Sequence, residues 1–259
     1  MSKVIPIFYR AEQSCAVSVS FSPSAGKPAL VVADYLKHFS DLVEIQSFEP
    51  ATPADLTLAH DAKYVSGVLD GTVKNGFDTF EKEIAESLPY TTGSLMAAAR
   101  HVLTENNQNA SRIAVSPTSG FHHAGYNYGS AFCTFNGLMV TAIKMHELGL
   151  ARRILIMDFD QHYGDGTDDI IEHLGIDYVT HVTAWKSYNT KATALKAARY
   201  LFEMAQEPYD LVLYQAGADI HVDDPLGGLL TTEEMITRDY SVMTGCLMRN
   251  IPLVWNLAG

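Results

Sequence analysis

Residues 153–167 read Arg-Ile-Leu-Ile-Met-Asp-Phe-Asp-Gln-His-Tyr-Gly-Asp-Gly-Thr, and no other stretch restricts the possible fold as much. Ile154, Leu155, Ile156 and Met157 are apolar without alternation, which suits a strand covered on both faces within a parallel sheet. Asp158, Asp160 and His162 follow at intervals of two, so an extended backbone would point all three to one side. Gly164 and Gly166 bracket Asp165 and predict a sharp turn from strand into helix. Open α/β sheets bind ligands at the carboxyl ends of their strands, which is where these polar groups stand. Burying several carboxylates beside an imidazole is costly, and a bound cation is the simplest compensation.

A chain of 259 residues is long enough for one large α/β domain, and 47% apolar residues supply its core. Basic residues number 18 and acidic ones 30, a net charge of −12. Nucleic acid is therefore not an expected partner, since binding its backbone needs clustered Lys and Arg, whereas a cationic substrate is compatible. Cys15, Cys133 and Cys246 are far apart and lack disulfide or thiolate-metal spacing, so a reducing cytoplasm is expected. The apolar run at the amino terminus is too short for a signal peptide and no segment approaches a membrane span, so no membrane partner is expected.

Apolar spacing predicts strands over 4–9, 43–48, 113–115, 153–158, 178–183, 211–214 and 251–257. Helices are expected over 28–39, in two short pieces joined near His60, from Thr91, and over 136–148, 168–174 and 191–206. A last helix opens at Thr231 with Glu234 at capping-box spacing. Residues 76–89 read as a polar surface excursion near the mouth of a pocket. This alternation implies a three-layer α/β fold: a mostly parallel central sheet with helices on both faces.

Three loops after three of these strands hold acidic or imidazole groups: His122 and His123, then Asp160 and His162, then Asp219. In a parallel sheet they open at one edge. Asp160, His162 and Asp219 would make a three-ligand set with one position left for water, the arrangement of a catalytic zinc. His122 and His123 would be proton-transfer groups, each with a carboxylate fixing its tautomer. Taken singly, Asp158, Asp160 and Asp219 could equally cap helices or turns. Cys133 is expected as packing beside the site, Trp185 and Trp255 as core or rim, and His60, His181 and His221 receive no role.

The chain resembles the zinc-dependent histone deacetylase superfamily, including bacterial members that act on acetylated polyamines. The matching pieces are Ser119-Gly-Phe-His-His-Ala124, Phe132-Cys-Thr-Phe-Asn136, Ile156 to Thr167, Gln215-Ala-Gly-Ala-Asp219 and Asp224-Pro-Leu-Gly-Gly228, with 59–65 agreeing more loosely. The resemblance implies the arginase/deacetylase fold, zinc held by Asp160, His162 and Asp219, and hydrolysis of a small acylated amine or acetyl-lysine by metal-activated water. It makes His123 the general base and acid with Asp165 behind it, and His122 an electrostatic companion paired to Asp158. A potassium ion beside Asp158, with Thr183, is also implied. The family's oxyanion tyrosine lies in a Gly-Gly-Tyr turn that would begin where these residues end, at Asn256 to Gly259. Residues 1–259 are thus expected to form one deacetylase-like domain lacking the family's C-terminal part. Tyr163, Phe121 and Ala131 also depart from the family pattern. A catalytically impaired metal-binding protein of this fold and an arginase-like binuclear manganese hydrolase are the alternatives.

Overall fold

A computed structural model describes residues 4–15, 22–105, 111–203 and 208–259. Its strands are β1 (Ile5–Phe8), β2 (Val43–Gln46), β3 (Ile113–Ser116), β4 (Ile154–Asp158), β5 (Val179–Val182), β6 (Leu211–Gly217) and β7 (Leu253–Ala258). Its helices are α1 (Lys27–Phe39), α2 (Pro53–Leu56), α3 (Ala62–Leu69), α4 (Lys82–Thr104), α5 (Gly137–Glu147), α6 (Asp165–Leu174), α7 (Lys191–Ala198), α8 (Tyr200–Glu203) and α9 (Thr232–Met248). All seven strands join one sheet in the order β2-β1-β3-β7-β6-β4-β5, and every pairing is parallel.

The unbroken apolar run of β4 is explained by layers on both sides. Ile154 and Ile156 face a core shared with Leu95, Leu138 and Met139 of α4 and α5, while Leu155 and Met157 face a second core with Ala194, Leu201 and Val242 of α7 to α9. All five β4 residues are buried. The expected three-layer α/β architecture is therefore present, with helices on both faces of the sheet.

Some boundaries differ from those read in the sequence. Residues 82–89 were expected in a surface excursion, but α4 begins at Lys82 and runs straight through Pro89. An internal proline costs about 3 kcal/mol. Ile84, Ala85, Ser87 and Leu88 are nevertheless buried, and fully burying an aliphatic side chain such as Ile84 or Leu88 returns about 1.5–3 kcal/mol. Helix packing thus outweighs the local breaker. The expected helix over 191–206 is interrupted at Arg199 between α7 and α8, and its last residues, 204–206, lie outside the described ones. Helix α6 starts at Asp165, three residues earlier than expected. Its first turn carries Asp165 and Asp168, which the positive end of the helix dipole favours.

Candidate metal centre

Strands β3, β7, β6 and β4 are consecutive in the sheet, so the loops leaving β3, β4 and β6 meet above one stretch of its carboxyl edge. The loop after β3 carries His122 and His123 through a backbone that side chains rarely adopt: φ is 101° at Phe121, which is 3% exposed. Asn136 holds this loop by donating from Nδ2 to the Ala124 carbonyl (3.1 Å) and to Thr167 Oγ1 (3.0 Å). His60 fastens it from the other side, donating from Nδ1 to the Gly125 carbonyl and accepting the Asn136 amide at Nε2, both at 2.8 Å. Burial pushes the His60 imidazole down to about 4, so it is neutral in this role. His60 has no expected role from sequence, although its place in the loosely matching 59–65 segment is a signal for one.

Gly164 and Gly166 were expected to make a turn, but neither has a positive φ. The need at Gly166 is for space: a Cβ there would meet the Ala124 carbonyl at 2.5 Å. This close approach seats the His122–His123 loop on the first turn of α6. Thr167 donates its amide to the His122 carbonyl (3.0 Å), and His123 Nδ1 lies 2.5 Å from Asp165 Oδ1. His122 Nδ1 lies 2.7 Å from Asp158 Oδ2, inside the protein. Burial disfavours charge on His122, but Asp158 and Asp160 outweigh it and raise the imidazole to about 9. The two rings lie side by side, 4.0 Å between centroids.

Asp160, His162 and Asp219 converge. His162 Nδ1 stands 3.0 Å from Asp160 Oδ1 and 3.0 Å from Asp219 Oδ2, and the three ligand atoms all lie within 4.8 Å of one another. Asp219 is no helix cap; its Oδ1 accepts the Gln161 amide (3.0 Å), which ties β6 to the β4 loop. Both carboxylates are buried, and burial pushes Asp219 up to about 6. Hydrogen bonds to Asp160 and then Asp219 carry His162 up to about 10. The imidazole is held as a cation between two carboxylates, each of which also accepts one backbone amide: Gln161 on Asp219 (3.0 Å) and His162 on Asp160 (2.9 Å). Two aspartates and one imidazole at this spacing fit a divalent ion of the zinc type, which would displace that proton.

Asp158 is 0% exposed and takes bonds from Gln215 Nε2 (2.9 Å), Thr183 Oγ1 (3.2 Å) and the Asp160 amide (3.2 Å) besides His122. His181, given no role from sequence, also belongs here. Its Nδ1 pairs with Asp168 (2.8 Å) and its Nε2 lies 3.6 Å from Asp158 Oδ2. Only the β4–β5 register, which sets Ile156 beside His181, brings it there. A cavity of about 530 Å³ opens over the cluster, lined by His122, His123, Asp160, His162, Asp219 and Cys133, among others. Ala131 lines it at φ 42°, and Lys27 enters it from the first turn of α1. Burial lowers the Lys27 ammonium despite Asp219, Asp160 and Asp224. Trp185 stands 65% exposed on the surface, whereas Trp255 is half-buried between the α7 to α9 core and a small cluster of Ile7, Val32 and Val115.

The family model described as the histone deacetylase domain matches residues 27–192, well over half of the chain. The chain belongs to the histone deacetylase domain family. An uncharacterized protein of Picosynechococcus sp. is 30% identical over 239 residues, covering 83% of this chain and 78% of that one. Histone deacetylase 14, chloroplastic, of Arabidopsis thaliana is 27% identical, covering 81% of this chain and 60% of the relative. Histone deacetylase 10, chloroplastic, of Oryza sativa subsp. japonica is 30% identical, covering 74% and 53%. The chain thus spans little more than half the length of these two plant relatives. The crystal structure of the HDA15 HD domain superposes with a TM-score of 0.76 at 19% identity, covering all of this chain and 83% of that one, which supports the arginase/deacetylase fold. Membership supports a hydrolase of the deacetylase kind. The family match ends before Asp219, so the third ligand rests on geometry. Among the described residues no helix is long and apolar enough to cross a membrane.

Proposed function

We propose that this chain is a zinc-dependent amidohydrolase that removes an acetyl or related acyl group from an amine. The observation that carries this reading is the convergence of Asp160, His162 and Asp219 beside two histidine–carboxylate pairs at the floor of one cavity. Zinc held by those three side chains would activate water and polarise the acyl carbonyl. The chain's own residues then manage protons and charge. His123, with Nδ1 engaged by Asp165, keeps Nε2 for taking a proton from water and passing it to the departing amine. His122, charged through Asp158, places positive potential where negative charge develops on the carbonyl oxygen. Cys133, buried in the wall, takes no part in proton transfer because burial pushes its thiol up to about 12.

A single three-ligand cluster among the described residues favours one metal over the binuclear manganese alternative. Potassium beside Asp158 stays a proposal of the same reading: the buried Asp158 and Asp160 carbonyls lie together, within 3.0 and 2.7 Å of the Tyr188 hydroxyl, and each oxygen has a second lone pair. A cytoplasmic setting is consistent with three free, buried cysteines among the described residues.

The test is deacylation of a fluorogenic acetyl-lysine substrate and of an acetylated polyamine by the wild type and by His123→Ala, with zinc content measured in parallel. The reading expects turnover on one of them, lost by about 10²–10⁴-fold in the variant while zinc is retained. Zinc bound by a wild type that turns over neither substrate would identify a metal-binding module instead.

A further inference from the structure

Arg238 of α9 is 1% exposed, a cation placed wholly inside the layer opposite the His122–His123 loop. Burying an arginine is costly, and an apolar side chain of similar size in such a place is often neutral or stabilising. Its one carboxylate partner among the described residues, the neighbouring Asp239, meets Nε at 2.8 Å and also accepts the Tyr214 hydroxyl. The other end of the guanidinium goes to backbone. Nη1 donates to the Gly217 carbonyl at 2.7 Å and reaches the Phe159 carbonyl at 3.5 Å, with the guanidinium carbon 5.9 Å from the centre of the Phe159 ring.

Those two carbonyls are not arbitrary. Phe159 immediately precedes Asp160, and Gly217 lies two residues before Asp219. The segments are already in contact: a Cβ on Gly217 would meet Asp160 Cα and the Phe159 carbonyl, each at 2.5 Å. We infer that Arg238 is a positioning residue, which fastens the ends of β4 and β6 to each other so that the Asp160 and Asp219 carboxylates stand at metal-binding separation. Tyr188 completes the fastening by holding the Asp158 and Asp160 carbonyls and stacking on Phe159 at 5.1 Å. The guanidinium holds Asp239 with Nε and the two carbonyls with Nη1, a two-ended grip that the single nitrogen of a lysine would not reproduce.

This inference rests on the metal-centre reading, so its test reads zinc affinity and not turnover. Zinc Kd is measured by competition with a fluorescent chelator for the wild type, Arg238→Met and Arg238→Lys, with melting temperatures of the metal-free proteins alongside. Leu95→Ala, a truncation in the other core, serves as a destabilised control. Zinc affinity is expected to weaken about 10- to 100-fold in Arg238→Met, the usual effect of removing a partner that orients metal ligands. It should weaken less in Arg238→Lys and stay unchanged in Leu95→Ala. Should Arg238→Met fail to fold, Arg238→Lys decides alone. Folded Arg238 variants that bind zinc within twofold of the wild type, or an equal loss in Leu95→Ala, would overturn the positioning role. A wild type that binds no zinc would bring down the metal-centre reading and this inference together.

Discussion

Removing the Asp158 carboxylate by Asp158→Asn should change both the stability of the metal-free protein and the way that stability depends on pH. Asp158 is fully buried, and burial alone would raise its carboxyl, yet the charge on His122 holds it well below the usual carboxylate range. The same pairing raises His122 from 6.5 to about 9. A group raised in the folded state contributes stability that is complete below its unfolded value and is lost as pH climbs through its folded value. The window is therefore pH 6.5 to about 9, and at about 1.4 kcal/mol per pH unit the contribution is on the order of 3 kcal/mol. His181, also raised against burial by Asp158, adds in the same direction. At roughly 2 °C per kcal/mol for a chain of this size, that amounts to about 6 °C in Tm. The variant should melt about 6–10 °C below wild type at pH 6.5, since breaking a buried pair costs about 3–5 kcal/mol, and the gap should narrow toward pH 9.5. His162, raised to about 10 by Asp160 and Asp219, keeps those two partners in the variant and titrates in both proteins. Calorimetry in the presence of a chelator from pH 6 to pH 10 gives the two curves. Parallel curves across that range would refute the pairing as the source of His122's charge.

Replacing any one of Asp160, His162 and Asp219 with Ala should abolish stoichiometric zinc in metal analysis of the purified protein, whereas Asp224→Ala at the cavity rim should leave it intact. Asp165→Asn should retain zinc and lower kcat by a smaller factor than His123→Ala does, because it removes the orienting partner and leaves the imidazole. Gly166→Ala should destabilise the fold, since its Cβ would need to displace the Ala124 carbonyl at 2.5 Å, and a lowered Tm with weakened turnover is the expected readout. Pro89→Ala should raise the unfolding free energy by about 1–3 kcal/mol in denaturant titration by restoring a helical amide inside α4.

The part of this site that was legible in the sequence is the part carried by local spacing. An apolar run ending in alternating ligands predicts β4 and the direction of Asp160 and His162, because strand geometry has a period of two. The His122–His123 loop was legible from its composition and from the three-loop logic of a parallel sheet. What escaped depends on tertiary contacts that no local period encodes. His181 joins Asp158 only through the register of β4 with β5, and Arg238 reaches Gly217 and Phe159 across a helix–sheet interface. The path of α4 through Pro89 is set by what its buried face packs against, which outweighs the local preference of proline. Gly166 looks like a turn residue in sequence, yet it is needed for the approach of a second loop.

The most direct test of the metal centre is anomalous diffraction at the zinc edge from crystals of the zinc-loaded protein. One peak within bonding distance of Asp160, His162 and Asp219, and lost in Asp219→Ala crystals, is the predicted result. A zinc peak held by other side chains, with these three turned apart, would contradict the account.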